Sequence, residues 1–378
     1  MISANVPVKV SADTKLNLLN LDRHELVAFF ESLGEKKFRA SQIMKWIHQE
    51  GVSDFQQMNN ISKVLRDKLE QCAEIKQLTV SVDELSSDGT RKWVLQMQDG
   101  NKIEAVYIPE SDRGTLCISS QVGCALDCSF CSTGRQGFNR NLTTAEIISQ
   151  VSLASQLIED EKKPGRKITN LVFMGMGEPL LNFDNVIRAI SILMDDFAYG
   201  LSKRRITVST AGVIPAMARL AEISDVRLAV SLHAANDELR DQLVPLNKKY
   251  PLTELREACT QFLDKQSARS RITFEYVMLE GVNDSEKHAH ELVRYLKGIP
   301  ALLNLIPFNP FEGSGYTTTS NNQVNRFGEI VMKAGITTVI RRTRGEDINA
   351  ACGQLVGEVA DKSRRERRFI EPRFGMKL

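Results

Sequence analysis

The sequence predicts an α/β fold on three observations. Seven apolar, β-rich runs recur between residues 115 and 341, stretches of helical periodicity separate them, and a helical segment followed by alternating strands precedes them. Repeated strand–helix units imply a parallel sheet with right-handed crossovers, built either as a doubly wound sheet or as a barrel.

The elements follow in chain order. Residues 1–14 are polar and expected to be loose. From Asn20 to Cys72 the pattern is helical: Leu26, Phe29, Phe30 and Leu33 recur at helix spacing, and Gly34 is a natural stop. Ser41, Ile43, Met44, Trp46 and Ile47 predict a second helix, and Val64, Leu65 and Leu69 a third. Residues 77–107 alternate as strands do, with turns at Ser87-Asp88-Gly89 and Asp99-Gly100. The chain thus divides into a helical accessory module with a β-hairpin (1–95), an α/β core (96–355) and a basic tail (356–378). In the core the strand runs lie at 115–120, 168–174, 206–210, 226–233, 272–279, 302–308 and 337–341. One intervening helix starts at Thr143, whose hydroxyl caps it while Glu146 reaches back. Its apolar face is Ile147, Ile148, Val151, Ala154 and Leu157/Ile158.

Composition describes a cytoplasmic globular enzyme. At 378 residues the chain can bury a large core, and 42% hydrophobic with 25% charged residues is ordinary. No apolar run is long enough to span a bilayer, and the first residues lack the basic-then-apolar plan of a signal peptide. Seven cysteines, an odd number in a long chain, argue against a disulfide framework and for a reducing compartment. A net charge of +2 leaves any nucleic-acid binding to local patches.

Three of the cysteines carry the chemistry. Cys124, Cys128 and Cys131 form a C-x3-C-x2-C run with Phe130 before the last. Zinc is poorly served, since structural sites take four ligands, catalytic ones mix in His or carboxylate, and no His is near. An iron–sulfur cluster suits thiolates better, and three ligands on a 4Fe-4S cluster leave one iron open. This run resembles the motif of the radical S-adenosylmethionine enzymes. The resemblance implies a partial (β/α)6 barrel, open on one side to a bulky substrate. It further implies a 4Fe-4S cluster whose open iron is chelated by S-adenosylmethionine, and formation of a 5′-deoxyadenosyl radical. Chemistry in such barrels collects at the C-terminal strand ends.

Gly175-Met176-Gly177-Glu178-Pro179 follows the second core run and is similar to that family's glycine–glutamate–proline motif. There, Gly177 and Glu178 are expected to hold the ammonium of S-adenosylmethionine, which needs acceptors and a close-lying backbone. By the same resemblance Ser209, Ser231, Leu232, His233 and Asn309 are polar or backbone contacts to the cofactor. Read without it, Ser209, Ser231 and Asn309 are equally strand-end caps, and His233 is a satisfied structural histidine. Cys72 and Cys259 read as small buried hydrophobes.

Cys117 lies just before the cluster run, and Cys352 lies in an arginine-rich loop where a thiolate is favoured. The loop Thr343-Arg344-Gly345-Glu346-Asp347-Ile348-Asn349-Ala350-Ala351-Cys352-Gly353-Gln354-Leu355 resembles the dual-specificity RNA adenine-C2 methyltransferases. So do Ser119-Ser120-Gln121-Val122-Gly123-Cys124, Gly137-Phe138-Asn139-Arg140-Asn141-Leu142 and Met174-Gly175-Met176-Gly177-Glu178-Pro179-Leu180-Leu181-Asn182. The likeness runs from about Leu18 to Leu355 with no departure at a motif position. It implies formation of 2-methyladenosine in 23S rRNA, at the peptidyl-transferase centre, and in tRNA, beside the anticodon. Two S-adenosylmethionine molecules serve each turnover. Cys352 takes a methyl group from the first, and the radical made from the second removes hydrogen from that methyl. The methylene radical adds to adenine C2, and Cys117 releases the product by a disulfide with Cys352. By the same resemblance Glu104 occupies the position assigned to proton transfer, although a lone Glu in an alternating strand is usually solvated. The implied electron donor is a flavodoxin or ferredoxin, and the protein is expected to be a monomer off the membrane. Two other readings stand beside this one: the related adenine-C8 methyltransferase, and a non-enzymatic iron–sulfur RNA-binding module.

RNA contacts are expected at Lys203-Arg204-Arg205, Lys248-Lys249, Arg341-Arg342, Arg344 and the tail Arg364-Arg365-Glu366-Arg367-Arg368. The target base must leave its stack to reach a barrel interior.

Overall fold

The computed structural model describes residues 15–158 and 167–357. The chain opens with a compact helical module. Strand β1 (Leu16–Asn17) pairs in parallel with β2 (Ala73–Glu74) and ties its two ends together. Between them, α1 (Arg23–Ser32) begins at Asp22, whose carboxylate accepts from the Glu25 N–H while Glu25 accepts from the Asp22 N–H. Such a reciprocal cap contributes about 1 kcal/mol. Gly34, at φ 76°, turns the chain out of the helix. Helix α2 (Phe38–Met44) runs on into one π turn at Lys45–Gln49. Helix α3 (Lys63–Cys72) buries Leu65 and Leu69, whereas Val64 is 80% exposed. Adjacent helix residues point about 100° apart, so only one of Val64 and Leu65 can face the core. Cys259 is fully buried as expected, but Cys72 is only half-buried, at the helix end.

The remainder is one sheet wrapped by helices. Strands β3 (Thr79–Leu85), β4 (Arg91–Gln96), β5 (Lys102–Pro109) and β6 (Gly114–Cys117) form an antiparallel meander. Its tight turns use Gly89 and Gly100, both at positive φ, where the sequence placed them. Residue 95 therefore falls inside a strand paired on both sides, and the sheet continues across it. Alternation marks a strand but not its partner, which is why the break appears at 95 in sequence. A short hairpin, β7 (Gln121–Gly123) and β8 (Phe138–Asn141), flanks α4 (Ser132–Arg135).

From β6 onward the strands run parallel. They are β9 (Asn170–Phe173), β10 (Ile206–Thr210), β11 (Arg227–Ser231), β12 (Ile272–Met278), β13 (Ala301–Pro307) and β14 (Thr337–Ile340). The crossovers carry α5 (Thr144–Leu157), α6 (Phe183–Met194), α7 (Ile214–Ile223), α8 (Asp237–Leu243) with α9 (Leu252–Asp264), α10 (Glu286–Leu296) and α11 (Asn321–Lys333). Six strand–helix units are thus followed by a seventh parallel strand. The capping box at Thr143 and Glu146 forms, with Ile147, Ile148, Val151 and Ala154 buried. The ten strands run in the order β14-β13-β12-β11-β10-β9-β6-β5-β4-β3. No helix among the described residues is long and apolar enough to cross a membrane.

The two edges of this sheet meet through the segment after β14, which spans residues 343–357 and is called the strap below. Asp347 accepts from the Ser86 hydroxyl at 2.5 Å and the Ser87 N–H at 3.0 Å, in the β3–β4 turn. Arg344 donates to the Pro109 carbonyl at 2.7 Å at the end of β5. The far half of the strap is held by α4: Ser132 N–H donates to Gly353 O at 2.8 Å and the Thr133 hydroxyl to Leu355 O at 2.8 Å. The sheet is therefore curled into an open barrel with the strap across its gap.

Candidate active site at the mouth of the barrel

Strand register collects the polar residues. On β4 and β5, Lys92 lies opposite Val106 and Val94 opposite Glu104, and Val106 lies opposite Cys117 on β6. Carried through Cys117–Val172, Val172–Thr207, Ser209–Ala229, Ser231–Glu275, Glu275–Asn304 and Asn304–Val339, the same face reaches Arg341. Side chains alternate faces along a strand, so Lys92, Glu104, Cys117, Ser209, Ser231, Glu275, Asn304 and Arg341 share one face.

Cys124, Cys128 and Cys131 lie in the loop between β7 and α4, and all three are half-buried free thiols. Gly123, at φ 73°, allows the loop's start to press on the Gly137 carbonyl, which a Cβ would meet at 2.1 Å. Burial raises the Cys128 thiol, and the like charges of Cys124 and Cys131 raise it further, so the three sulfurs crowd one another. No group of three or more His, Cys, Asp or Glu among the described residues has the convergence of a single metal ion. A donor set of three thiols and nothing else fits a 4Fe-4S cluster, in which each thiolate takes its own iron.

The loop after β9 lies on residues 118–121, which lead into the cluster loop. Ser120 and Gln121 N–H donate to Met176 O at 2.8 and 3.2 Å, and Met176 N–H donates to the Ser119 hydroxyl at 2.9 Å. A Cβ on Gly175 would stand 2.8 Å from the Ile118 carbonyl; on Gly177, at φ 95°, it would stand 2.4 Å from the Gln121 Cβ. Both glycines are required by this contact. Glu178 is buried, and its carboxyl accepts from the N–H groups of Leu180 at 3.1 Å and Ala211 at 2.9 Å. It thus ties the end of β9 to the end of β10. Burial pushes it up to about 7 against those hydrogen bonds.

Ser209 is buried near the end of β10 and Ser231 half-buried at the end of β11. The Leu232 side chain is wholly in the core, so only its backbone meets the site, and its carbonyl takes Arg240 Nε at 3.0 Å. His233, at φ 60°, accepts from Val277 N–H through Nδ1 at 3.0 Å and meets the Phe130 ring of the cluster loop edge-on, with centroids 4.4 Å apart. Burial, with Arg240 nearby, lowers its ring to about 3, so it is neutral. The Asn309 amide donates to Cys352 O at 3.3 Å and accepts from the Thr343 hydroxyl at 3.1 Å. The structure thus places Asn309 against the strap.

Cys352 projects from the strap, exposed on the open side of the mouth. Enclosure on its other sides raises its thiol; Arg341 opposes this and Glu275 adds to it. Arg341 acts on Cys352 most strongly, then on Glu275 and Cys117. Cys117 is buried and pushed up to about 12, by burial first and Cys352 second. The two remote cysteines are therefore neighbours around one guanidinium. Glu104 is also buried, not on a solvated face, and burial raises its carboxyl although Lys92 pulls it down.

Comparison with known proteins agrees with this geometry. The family model described as the Ribosomal RNA large subunit methyltransferase N-terminal domain matches residues 16–75, and that of the Radical SAM superfamily matches residues 118–293. The Dual-specificity RNA methyltransferase RlmN of Marinobacter nauticus is 57% identical, covering 95% of this chain and 97% of its own. Its namesake in Pseudomonas putida is 56% identical, covering 95% and 94%. The chain belongs to the RlmN family. A crystal structure of a radical SAM methyltransferase from Sphaerobacter thermophilus superposes with TM-score 0.84 at 42% identity, covering 90% of this chain and 99% of that one. Membership of the RlmN family makes the protein a radical SAM RNA methyltransferase, and the family implies a 4Fe-4S cluster and S-adenosylmethionine.

Four residues that shape this site escape sequence reasoning. Glu275 interrupts the apolar run of β12, a signal that was legible. Gln121 accepts the Glu178 N–H at 2.8 Å. Arg240 is buried and donates to the carbonyls of Leu232, Ala211 and Ser231 at 3.0, 2.7 and 3.1 Å, buttressing two strand ends. Lys92 pairs with Glu104 at 3.6 Å. Gln121 lies in a motif and Lys92 in an alternating strand, but neither pattern gives the residue a role there, and Arg240 sits in a charged stretch, Asp237-Glu238-Leu239-Arg240-Asp241, that reads as a solvated helix face. Of the basic clusters, Lys203–Arg205 precede β10 at the end opposite the mouth, where Lys203 pairs with Asp225 and Arg205 with Asn170. Lys248 and Lys249 are exposed in the loop region after β11, on the mouth side. The basic tail from Arg364 lies outside the described residues.

Proposed function

We propose that the protein methylates adenine C2 in 23S rRNA and in tRNA, with Cys352 as methyl carrier and Cys117 as the thiol that releases product. The observation that supports this most is the pair of thiols outside the cluster loop, one on β6 and one on the strap, gathered around Arg341. Direct transfer to C2 is unpromising, because that carbon is electron-poor. Cys352, whose thiolate Arg341 favours against the effect of burial, attacks the methyl of one S-adenosylmethionine, whose S–CH3 bond breaks to release S-adenosylhomocysteine. When bound, the cluster on Cys124, Cys128 and Cys131 supplies, with a second S-adenosylmethionine and one electron, the radical that removes hydrogen from the S-methyl group.

The protein's own residues do the rest. The backbone at Gly177, with Glu178, Ser209, Ser231, Leu232, His233 and Asn309, orients the S-adenosylmethionine beside the strap. The Cys352 methylene adds to C2, joining protein and RNA. The adduct radical gives up one electron to an external one-electron acceptor, Glu104 takes the C2 proton, and the Cys117 thiolate attacks the Cys352 sulfur. The S–CH2 electron pair goes to the carbon on the RNA, which takes up a proton and leaves as a methyl group, and external thiols reduce the disulfide before the next turnover. That cycle, and electron delivery by a flavodoxin or ferredoxin, suits a monomer in a reducing cytoplasm. Nucleosides from RNA modified by the purified protein test the reading. Mass-resolved 2-methyladenosine is expected; 8-methyladenosine alone would give the reaction to the C8 chemistry, and neither, without 5′-deoxyadenosine, would leave only an RNA-binding module.

A further inference from the structure

We propose that Lys92 is a positioning residue for Glu104, and that the carboxylate it holds also anchors the strap through the Val356 N–H. Glu84, Lys92 and Glu104 form a cross-strand row over β3, β4 and β5, Glu84 directly opposite Lys92 and Glu104 diagonal to it. The row runs from water inward, with side-chain exposures of 40%, 9% and 6%. Lys92 Nζ lies 2.9 Å from Glu84 Oε2 and 3.6 Å from Glu104 Oε1. A nearly buried ammonium must be paired, and its inner partner is the carboxyl read above as the proton acceptor.

The other Glu104 oxygen is engaged too. Oε2 accepts the Val356 N–H at 2.9 Å, four residues beyond Cys352. The next residue, Gly357, presses on β5: a Cβ there would meet the Lys102 carbonyl at 2.1 Å. One carboxylate therefore faces the Lys92 ammonium on one side and the end of the Cys352 strap on the other. Ionised, it makes an ion pair with Lys92 and a charge-assisted hydrogen bond with the Val356 N–H; protonated, both weaken together. Proton uptake during release would thus loosen the strap as the two thiols, unbonded here, close on each other. This consequence rests on the reading of Glu104 as proton acceptor; the anchor itself does not.

Amide exchange of the purified full chain, read by mass spectrometry, tests it. In Lys92→Met the Val356 amide should exchange about tenfold faster at neutral pH, with α11 unchanged, and Lys92→Arg should restore protection. The pH at which protection is lost should rise in Lys92→Met. If that variant unfolds, Lys92→Gln, which keeps a donor but no charge, must show the same local rise. Wild-type exchange at Val356 in a folded Lys92→Met or Lys92→Gln protein overturns the proposal. The proton-acceptor reading fails separately, if Glu104→Gln resolves the protein–RNA adduct at the wild-type rate.

Discussion

Glu178 is an acid placed where its charge is poorly solvated. Its folded pKa, about 7, lies above its ordinary value of 4.5. The folded state therefore binds the extra proton, so this contribution to stability is fully present below about 4.5 and is lost as pH rises through about 7. For the protein without cofactor this amounts to about 3 kcal/mol across the window. Denaturant unfolding from pH 4 to 8 should show that slope in the wild type and a flatter one in Glu178→Gln; parallel curves would contradict it. Bound S-adenosylmethionine, bringing an ammonium, should reduce the slope. At this scale the cysteines were legible because their spacing is itself the chemistry. Arg240 was not, because an arginine in Asp-Glu-Leu-Arg-Asp reads as a solvated helix face until the fold shows its guanidinium capping carbonyls.

Secondary-structure elements position the site by close backbone contact. The β9 loop can rest on Ile118 and Gln121, ahead of the cluster loop, only because Gly175 and Gly177 lack a Cβ. Gly177→Ala forces both a left-handed φ and a clash with Gln121, and should cost roughly 2–4 kcal/mol in unfolding free energy. S-adenosylmethionine affinity measured by calorimetry should fall with it; wild-type stability would contradict the packing. The Thr143 cap and the turns at Gly34, Gly89 and Gly100 were readable, since they act locally; the Asp22 cap, equally local, was not read. The extent of the sheet was not. Whether β3 and β4 pair with the barrel depends on β5 and β6, and no local pattern encodes that.

The whole molecule is an open barrel whose gap is crossed by the segment that carries Cys352. That segment is fastened at one end to the β3–β4 turn and at the other to α4 beside the cluster loop. Cys128→Ala protein, purified anaerobically, should keep its fold by circular dichroism yet lack the brown 4Fe-4S absorbance and S-adenosylmethionine cleavage. Iron at the wild-type level would overturn the ligand assignment. Sequence alone placed Cys117 and Cys352 far apart in number, and only the curling of the sheet brings them to one guanidinium. Their division of labour is tested most directly on denaturing gels of the two alanine variants, expressed in cells and treated with nuclease. Cys117→Ala should accumulate a covalent protein–RNA adduct through Cys352, because methyl transfer and addition proceed but release does not. Cys352→Ala should show none; an adduct in Cys352→Ala, or its absence in Cys117→Ala, would contradict the assigned roles.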